Sequence, residues 1–284
     1  MQKSPMTSAS LETKLPDIQR VGLGTYKSKG DDCVKMVEAA IKAGYRAFDT
    51  AVLYGNHEHI RQGIARAGID RQELYLSSKI HDRDQLADRV QQSVDQILKE
   101  LGLEYIDQLL LHAPVGGEAV MVRSWRALEE AQKAGKVRHI GVSNFKITDL
   151  EILLKHAHVT PFVNQFEITP FNTRSCLVKY CLDKGIKIQA WGSLTVGRRL
   201  DDQRLLAIAT EVGLTPAEVL LKWALQMDFY IIPKPLTTEH LQENYKIQFK
   251  TPLSEAVLNQ LDKLNDDYYT IRRYMDPKPT SVLA

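Results

Sequence analysis

The sequence contains little cysteine. Its 284 residues include only Cys33, Cys176 and Cys181, an odd number that does not form a complete disulfide framework, and their spacing matches no metal-ligand pattern. Cys176 and Cys181 lie five apart on a helical stretch and should point in different directions, and Cys33 is predicted to be a small core or boundary residue. This cysteine usage is typical of a protein from a reducing compartment.

The sequence also has no charge imbalance, no secretion signal and no apolar run long enough to cross a bilayer. Its 37 basic and 35 acidic residues give a net charge of +2 and are not grouped in blocks. This argues against a nucleic-acid surface, but a small anionic ligand stays open. The sequence therefore predicts a cytoplasmic protein, and the lack of an extra apolar face favours a monomer.

The chain does contain a repeated unit of amphipathic helix, glycine, short apolar strand and polar residue. In the first helix Asp31 or Asp32 is the predicted N-cap, the helix runs through Ala43, and Gly44 ends it. Four further glycines mark the same unit, Gly68, Gly102, Gly135 and Gly185. The strands predicted after them are Leu74–Ser78, Ile106–Leu111, Val137–Val142 and Ile186–Ala190.

Four more apolar segments bring the number of predicted strands to eight. They are Arg20–Gly24, Ala47–Phe48, Phe162–Gln165 and Tyr230–Pro233. Strands that are apolar throughout and separated by helices indicate a parallel sheet buried on both faces. We therefore predict a single (β/α)8 TIM barrel over residues 1–284. A doubly wound sheet is the alternative, but it usually has a third glycine in the first turn, where this chain has Lys27.

Polar residues follow most of these strands, and in a barrel the strand ends that they follow share one rim, where active sites form. In chain order they are Asp49, Lys79, His112, Ser143, Asn144, Gln165, Glu167, Trp191 and Lys234. Tyr54 lies five residues after Asp49, in the loop that leaves the second strand. The sequence therefore predicts an active site at the C-terminal rim.

These residue types suit the protonation of a carbonyl oxygen. A phenol with an ordinary pKa near 10 is a weak acid, and a nearby ammonium such as Lys79 favours its phenolate. A carboxylate such as Asp49 would fix that lysine, and His112 could bind the substrate oxygen. A hydride for the carbon must come from a cofactor, because no side chain supplies one.

Six segments together resemble the signature segments of the aldo-keto reductase superfamily. They are AGYRAFDTAVLYGN from Ala43, SSK at Ser77–Lys79, LLLH at Leu109–His112, GKVRHIGVSNF from Gly135, VNQFEITPF from Val163 and IPKPLTTEHLQEN from Ile231. Several motifs in the right order over most of the chain make this resemblance specific.

The resemblance implies a role for each matching position. The catalytic tetrad corresponds to Asp49, Tyr54, Lys79 and His112, with Tyr54 as the general acid. Cofactor contacts are implied for Thr25, Ser143, Asn144, Gln165, Trp191, Leu194, Lys234, Thr237, His240, Glu243 and Asn244. Tyr26, on the first rim loop, is expected in the substrate pocket. The implied cofactor is NADPH, the implied partner is a small carbonyl substrate, and no metal is expected.

Some positions depart from the family pattern. Pro235 and His240 stand where many members have serine and arginine, which predicts a modest preference for NADPH and leaves NADH open as a cofactor. His81 and Ala113 stand where many members have bulky aromatic residues. We therefore expect a wider and more polar substrate pocket.

Two other functions stay open at this level. The first is a nucleotide-binding module that signals redox state to a partner, although an intact tetrad favours an enzyme. The second is a metal-dependent barrel hydrolase built on His57 and His59, for which no third ligand is evident. Trp125 and Trp223 lie in amphipathic helices and are predicted to pack against the barrel.

Overall fold

Eight parallel strands form one sheet in which each strand pairs with the next along the chain. The computed structural model describes residues 19–271, so the ends of the predicted domain, 1–18 and 272–284, lie outside the described residues. The strands are β1 Leu23–Gly24, β2 Ala47–Asp49, β3 Tyr75–Ile80, β4 Ile106–Leu111, β5 Val137–Ser143, β6 Val163–Glu167, β7 Lys187–Trp191 and β8 Tyr230–Ile231.

The sheet closes between its first and last strands. Val21 forms a parallel bridge with Ile231, the Gly22 N–H donates to the Ile231 carbonyl at 2.8 Å, and the Ile231 N–H donates to the Arg20 carbonyl at 2.8 Å. At Gly24 the backbones approach so closely that a Cβ would lie 2.5 Å from the Ile232 carbonyl oxygen. The predicted (β/α)8 barrel is therefore confirmed, and the doubly wound alternative is wrong.

Helices follow the strands and cover the outside of the barrel. They are α1 Gly30–Ala43, α2 His57–Ala67, α3 Asp82–Leu86, α4 Val90–Leu101, α5 Gly117–Lys133, α6 Ile147–His156, α7 Ser175–Asp183, α8 Gln203–Val212, α9 Pro216–Gln226, α10 Thr238–Lys246 and α11 Glu255–Asp262. Among residues 19–271, none of these helices is both long and apolar enough to span a bilayer.

The glycines predicted at helix ends have left-handed backbone, as at Gly44 with φ of 107°. This conformation lets the cap N–H groups satisfy the last helical carbonyls, and glycine adopts it without steric cost. The predicted aspartate cap of α1 was wrong. Lys29 is the N-cap and makes no side-chain cap bond, while Asp31 and Asp32 lie within the first turn. In that turn their negative charges still interact favourably with the positive end of the helix dipole.

Several strand limits differ from those predicted by one to three residues. The largest effect on the site concerns β3, which continues through Lys79 to Ile80, although Lys79 was expected just after the strand. Strands β1 and β8 are shorter than predicted, because the regular pairing of β1 begins only at Leu23 and that of β8 ends at Ile231. Strand ends are fixed by pairing with the neighbours, which apolar sequence runs alone do not specify.

Apolar side chains fill the space between the strands and the helices. Trp125, Trp223 and Cys33 are buried there, as predicted. Cys181 is buried and Cys176 is exposed, so these two cysteines point in different directions, as expected. The barrel interior near the C-terminal rim is different, because it holds buried polar groups, among them Asp49, Lys79, Gln165 and Gln189. Buried polar groups need partners, and these partners define the candidate site.

Candidate active site

A buried ion pair joins strands β2 and β3 at the rim. The Lys79 ammonium lies 2.6 Å from Asp49 Oδ1 and donates to the Thr50 carbonyl at 2.8 Å. Burial lowers the pKa of Lys79, and the Asp49 carboxylate acts against that effect. The two groups depend on each other, because removing either would leave an uncompensated buried charge.

Tyr54 lies over this ion pair, and His112 lies beside Tyr54. Tyr54 ends the short 3-10 turn Val52–Tyr54, and its half-buried ring has its centre 5.2 Å from the Lys79 Nζ. The His112 ring lies edge-on to Tyr54, with 6.1 Å between the ring centres. The structure thus brings together the four residues that the sequence predicted as a catalytic group.

The loop that carries Tyr54 is held by three polar residues whose roles the sequence did not reveal. Asn56 donates to the Thr25 and Ser28 carbonyls, both at 3.0 Å, and accepts from the Thr50 hydroxyl at 2.6 Å. Thr25, a predicted cofactor contact, donates its hydroxyl to the Asp49 carbonyl at 2.9 Å. Thr50 and Asn56 do stand within AGYRAFDTAVLYGN, which was the only available signal.

Ser143, Asn144 and Trp191 form a second group, across the rim. Asn144 adopts left-handed backbone with φ of 61°, a conformation that asparagine tolerates well. Its Nδ2 donates to Ser143 Oγ at 3.0 Å, and its Oδ1 accepts from the Trp191 indole at 2.9 Å. The half-buried indole is therefore held in place by the amide beside it.

Gln165 connects the two groups. It lies on β6, is buried, and its Nε2 donates to Asp49 Oδ2 at 2.8 Å. Glu167, also expected at the rim, is the last residue of β6 and accepts from both the N–H and the hydroxyl of Thr270, at 2.8 and 2.6 Å. Burial raises the pKa of Glu167. Glu167 therefore anchors a later segment of the chain.

That segment also holds the loop after β7, in which Leu194 precedes the short turn Thr195–Gly197. Arg199 from this loop lies 2.7 Å from Asp202 and 2.9 Å from Asp266. Arg198 donates to the Thr270 carbonyl at 3.2 Å. The loop with Leu194, a predicted cofactor contact, is thus bound to residues near the end of the described chain.

The predicted substrate-pocket residues lie around Tyr54 and at the ends of β3 and β4. Tyr26 is 49% exposed and its ring lies 5.0 Å from that of Tyr54. Ala113 is buried directly after His112. His81 is the N-cap of α3, and its Nδ1 accepts from the Arg83 N–H at 3.0 Å. This hydrogen bond fixes the orientation of the His81 ring. The sequence analysis did not predict this capping role.

The last group of predicted cofactor contacts, from Lys234 to Asn244, borders a basic cavity. Thr237 is the N-cap of α10 and accepts from the His240 N–H at 3.2 Å; His240 and Glu243 are exposed, and Asn244 is buried. Lys234 and Thr237 line a cavity of about 520 Å³, and three further lysines line it from the first loop and α1, Lys27, Lys29 and Lys35. Sequence reasoning missed these lysines because they stand far from Lys234 in the chain.

The metal interpretation of His57 and His59 finds no support. His57 Nδ1 lies 2.7 Å from Glu100 Oε2, and its Nε2 lies 2.9 Å from the Ser78 hydroxyl. Both ring nitrogens are therefore already hydrogen-bonded. Within residues 19–271, no group of three or more His, Cys, Asp or Glu side chains is arranged to hold a metal ion.

Comparison with known proteins gives consistent matches. The model of the Aldo/keto reductase family matches residues 20–266. The chain is 40% identical to the glyoxal reductase of Bacillus subtilis (strain 168), over 92% of each chain. It is 36% identical to a 9,11-endoperoxide prostaglandin H2 reductase of Trypanosoma cruzi, over 87% of this chain and 88% of that protein.

Solved structures agree with these matches. An aldo-keto reductase from a Medee basin deep-sea metagenome library superimposes with a TM-score of 0.85 at 30% identity, covering 90% of this chain and 95% of that one. An aldo/keto reductase from Brucella melitensis gives 0.82 at 34% identity, covering 87% and 95%.

Proposed function

The chain belongs to the aldo/keto reductase family of oxidoreductases, and we propose that it reduces aldehydes or ketones to alcohols with NADPH, with Tyr54 as the general acid. The observation that carries this proposal is the buried Asp49–Lys79 pair directly beside the Tyr54 ring. A buried ammonium beside a phenol favours its ionised form and so makes the phenol a better proton donor.

Each residue of the tetrad has a distinct task in this proposal. Tyr54 gives its proton to the carbonyl oxygen, and the Lys79 ammonium stabilises the phenolate that remains. Asp49 and the Thr50 carbonyl hold that ammonium in position. His112, beside Tyr54, hydrogen-bonds the substrate oxygen and orients it toward the phenol. When bound, the reduced nicotinamide supplies the hydride to the carbonyl carbon.

The side chains across the rim fit a nicotinamide. A carboxamide needs both hydrogen-bond donors and acceptors, and Ser143, Asn144 and Gln165 provide hydroxyl and amide groups of both kinds. The Trp191 indole offers an aromatic face, held by its bond to Asn144. These are the residues that would hold the cofactor's reactive ring.

The opposite end of the cofactor fits the basic cavity. Four lysines, Lys27, Lys29, Lys35 and Lys234, line it together with a single acid, Asp32. This excess of positive charge favours the 2′-phosphate that distinguishes NADPH from NADH. We therefore propose NADPH as the preferred cofactor.

For the substrate we propose small aldehydes or ketones. A relative that shares 40% of its residues with this chain is a glyoxal reductase. The small Ala113 and the polar His81 beside the tetrad leave room for a hydrated, polar compound. Glyoxal and similar short dicarbonyls are therefore the first compounds to assay.

The proposal is tested by Tyr54→Phe, which keeps the ring and removes the transferable proton. We expect turnover of a short aldehyde to fall about 10²–10⁴-fold, the usual contribution of general acid catalysis. Cofactor affinity, measured by quenching of tryptophan fluorescence, should stay within about twofold. Tyr180→Phe, on the distant helix α7, is the control. Activity of Tyr54→Phe within a few-fold of wild type would remove Tyr54 from this role.

A further inference from the structure

A continuous hydrogen-bonded chain of side chains runs through the barrel interior below the rim. Its members lie on different strands and are all buried; they are Asp49 on β2, Tyr75 on β3, Gln108 on β4, Gln165 on β6 and Gln189 on β7. Such interiors are usually filled by branched apolar residues. A row of glutamines there therefore calls for an explanation.

The bonds in this chain have a defined direction. Burial raises the pKa of Tyr75, so its hydroxyl keeps its hydrogen and can donate to Gln108 Oε1, 3.1 Å away. Gln108 Nε2 in turn donates to Gln189 Oε1 at 3.1 Å and to the Ser77 hydroxyl at 3.0 Å. The amide orientation of Gln108 is therefore set by its partners, and it presents a donor to Gln189.

Gln189 Oε1 accepts a second bond, from Gln165 Nε2 at 2.8 Å. The same Gln165 nitrogen also donates to Asp49 Oδ2 at 2.8 Å. A side-chain amide nitrogen carries two hydrogens, and both are used inside the protein. Any further bond that the Gln165 side chain makes to a ligand must therefore be through its carbonyl oxygen, as an acceptor.

We infer that Gln189 is a positioning residue that fixes the orientation of the Gln165 amide, so that Gln165 accepts an N–H from the cofactor's carboxamide. This inference rests on the proposed function, because it concerns the nicotinamide site. Without the Gln189 oxygen, one buried hydrogen of Gln165 has no acceptor, and the remaining bond to Asp49 alone lets the amide rotate away from the orientation that both acceptors hold. Gln189 thus acts on the cofactor through Gln165 and does not touch it.

Two variants separate the role of the oxygen from that of side-chain size. Gln189→Met has a similar length but no strong acceptor, whereas Gln189→Glu keeps an acceptor oxygen in either protonation state. The probe is a pair of cofactors, NADP⁺ and its 3-acetylpyridine analogue, in which a methyl ketone replaces the carboxamide and no N–H remains. Dissociation constants come from tryptophan fluorescence, with no turnover needed.

Wild type should bind NADP⁺ about tenfold more tightly than the analogue, since the hydrogen bond to Gln165 is lost. Gln189→Met should reduce this ratio to about twofold, and Gln189→Glu should keep it. As a second readout, NADPH deuterated at either C4 position should show transfer of one specific hydrogen in wild type, with mixed transfer in Gln189→Met. If Gln189→Met does not fold, the shorter Gln189→Asn withdraws the oxygen in the same way.

An unchanged tenfold ratio in Gln189→Met would overturn the inference, as would the absence of any discrimination in wild type. Neither result touches the proposed function, which is judged by aldehyde turnover. If wild type bound neither NADP⁺ nor NADPH and reduced no aldehyde, the proposed function itself would fail.

Discussion

At the scale of the residue, His240 offers a direct test of cofactor choice. It lies exposed in the first turn of α10, beside the N-cap Thr237. Histidine is mostly neutral at pH 7, whereas arginine carries a permanent charge and binds phosphate through two N–H groups. We expect His240→Arg to tighten NADPH binding by about 1.5–3 kcal/mol, roughly ten- to a hundredfold, and to leave NADH nearly unchanged.

Dissociation constants for both cofactors measure this effect. Gln242→Arg is the matched control, because it adds the same charge to another exposed position of α10. Equal tightening by the two variants would show a general charge effect and contradict a specific contact at residue 240.

The proximity of Asp49, Tyr54, Lys79 and His112 could be predicted from the sequence, because three of them mark the end of an apolar run and Tyr54 belongs to a specific motif. The hydrogen bonds that hold these residues in place could not be predicted. That Thr50 binds Lys79 and that Gln189 binds Gln165 follows from strand register, which brings together residues distant in the chain. A glutamine in an apolar run shows no local sign of its partner.

At the scale of secondary-structure elements, His57 ties three of them together. It stands at the start of α2, contacts Ser78 on β3 and contacts Glu100 on α4. Burial lowers the pKa of His57 and outweighs the attraction of Glu100. The folded protein therefore keeps this ring neutral at pH values where an unfolded chain, with an ordinary histidine pKa near 6.5, binds a proton.

This difference makes stability depend on pH. Above pH 6.5 both states are neutral and there is no effect; as the pH falls below 6.5, only the unfolded state gains the proton, so the folded state loses stability. One pH unit below 6.5 should cost up to about 1.4 kcal/mol. Unfolding of wild type and His57→Gln in urea at pH 7.5 and 5.5 should show a smaller loss for the variant. His158→Gln, at an exposed site, should behave as wild type.

Helix ends were easier to predict than strand ends. Gly44, Gly68 and Gly102 all adopt the left-handed conformation predicted for them, because the glycine itself makes that turn inexpensive. The end of β3, in contrast, depends on pairing with β4 as far as Ile80 and Leu111. Local sequence holds the signal for a cap, whereas the length of a strand is decided by its neighbour.

At the scale of the whole molecule, closure of the barrel depends on Gly24. A Cβ there would lie 2.5 Å from the Ile232 carbonyl oxygen, whereas a Cβ at Gly22 would meet its nearest neighbours at 3.3 Å. We expect Gly24→Ala to push β1 and β8 apart and to cost about 1–3 kcal/mol of unfolding free energy. Gly22→Ala, just before β1, should cost clearly less.

Urea denaturation of the two variants makes this comparison. An equal loss of unfolding free energy in both variants would mean that the junction between β1 and β8 accommodates an added methyl group. The spacing of these strands would then not depend on Gly24.

The ion pair and amides inside the barrel also bear on how selection acts on this sequence. Buried charges such as Asp49 and Lys79 are often less stabilising than apolar residues of similar volume. Selection for heat tolerance alone would favour leucine and methionine at these positions, which would keep the fold but remove the charged neighbour that the proposed proton donor Tyr54 requires. We therefore expect a close homologue with an apolar barrel interior to be a stable protein without reductase activity.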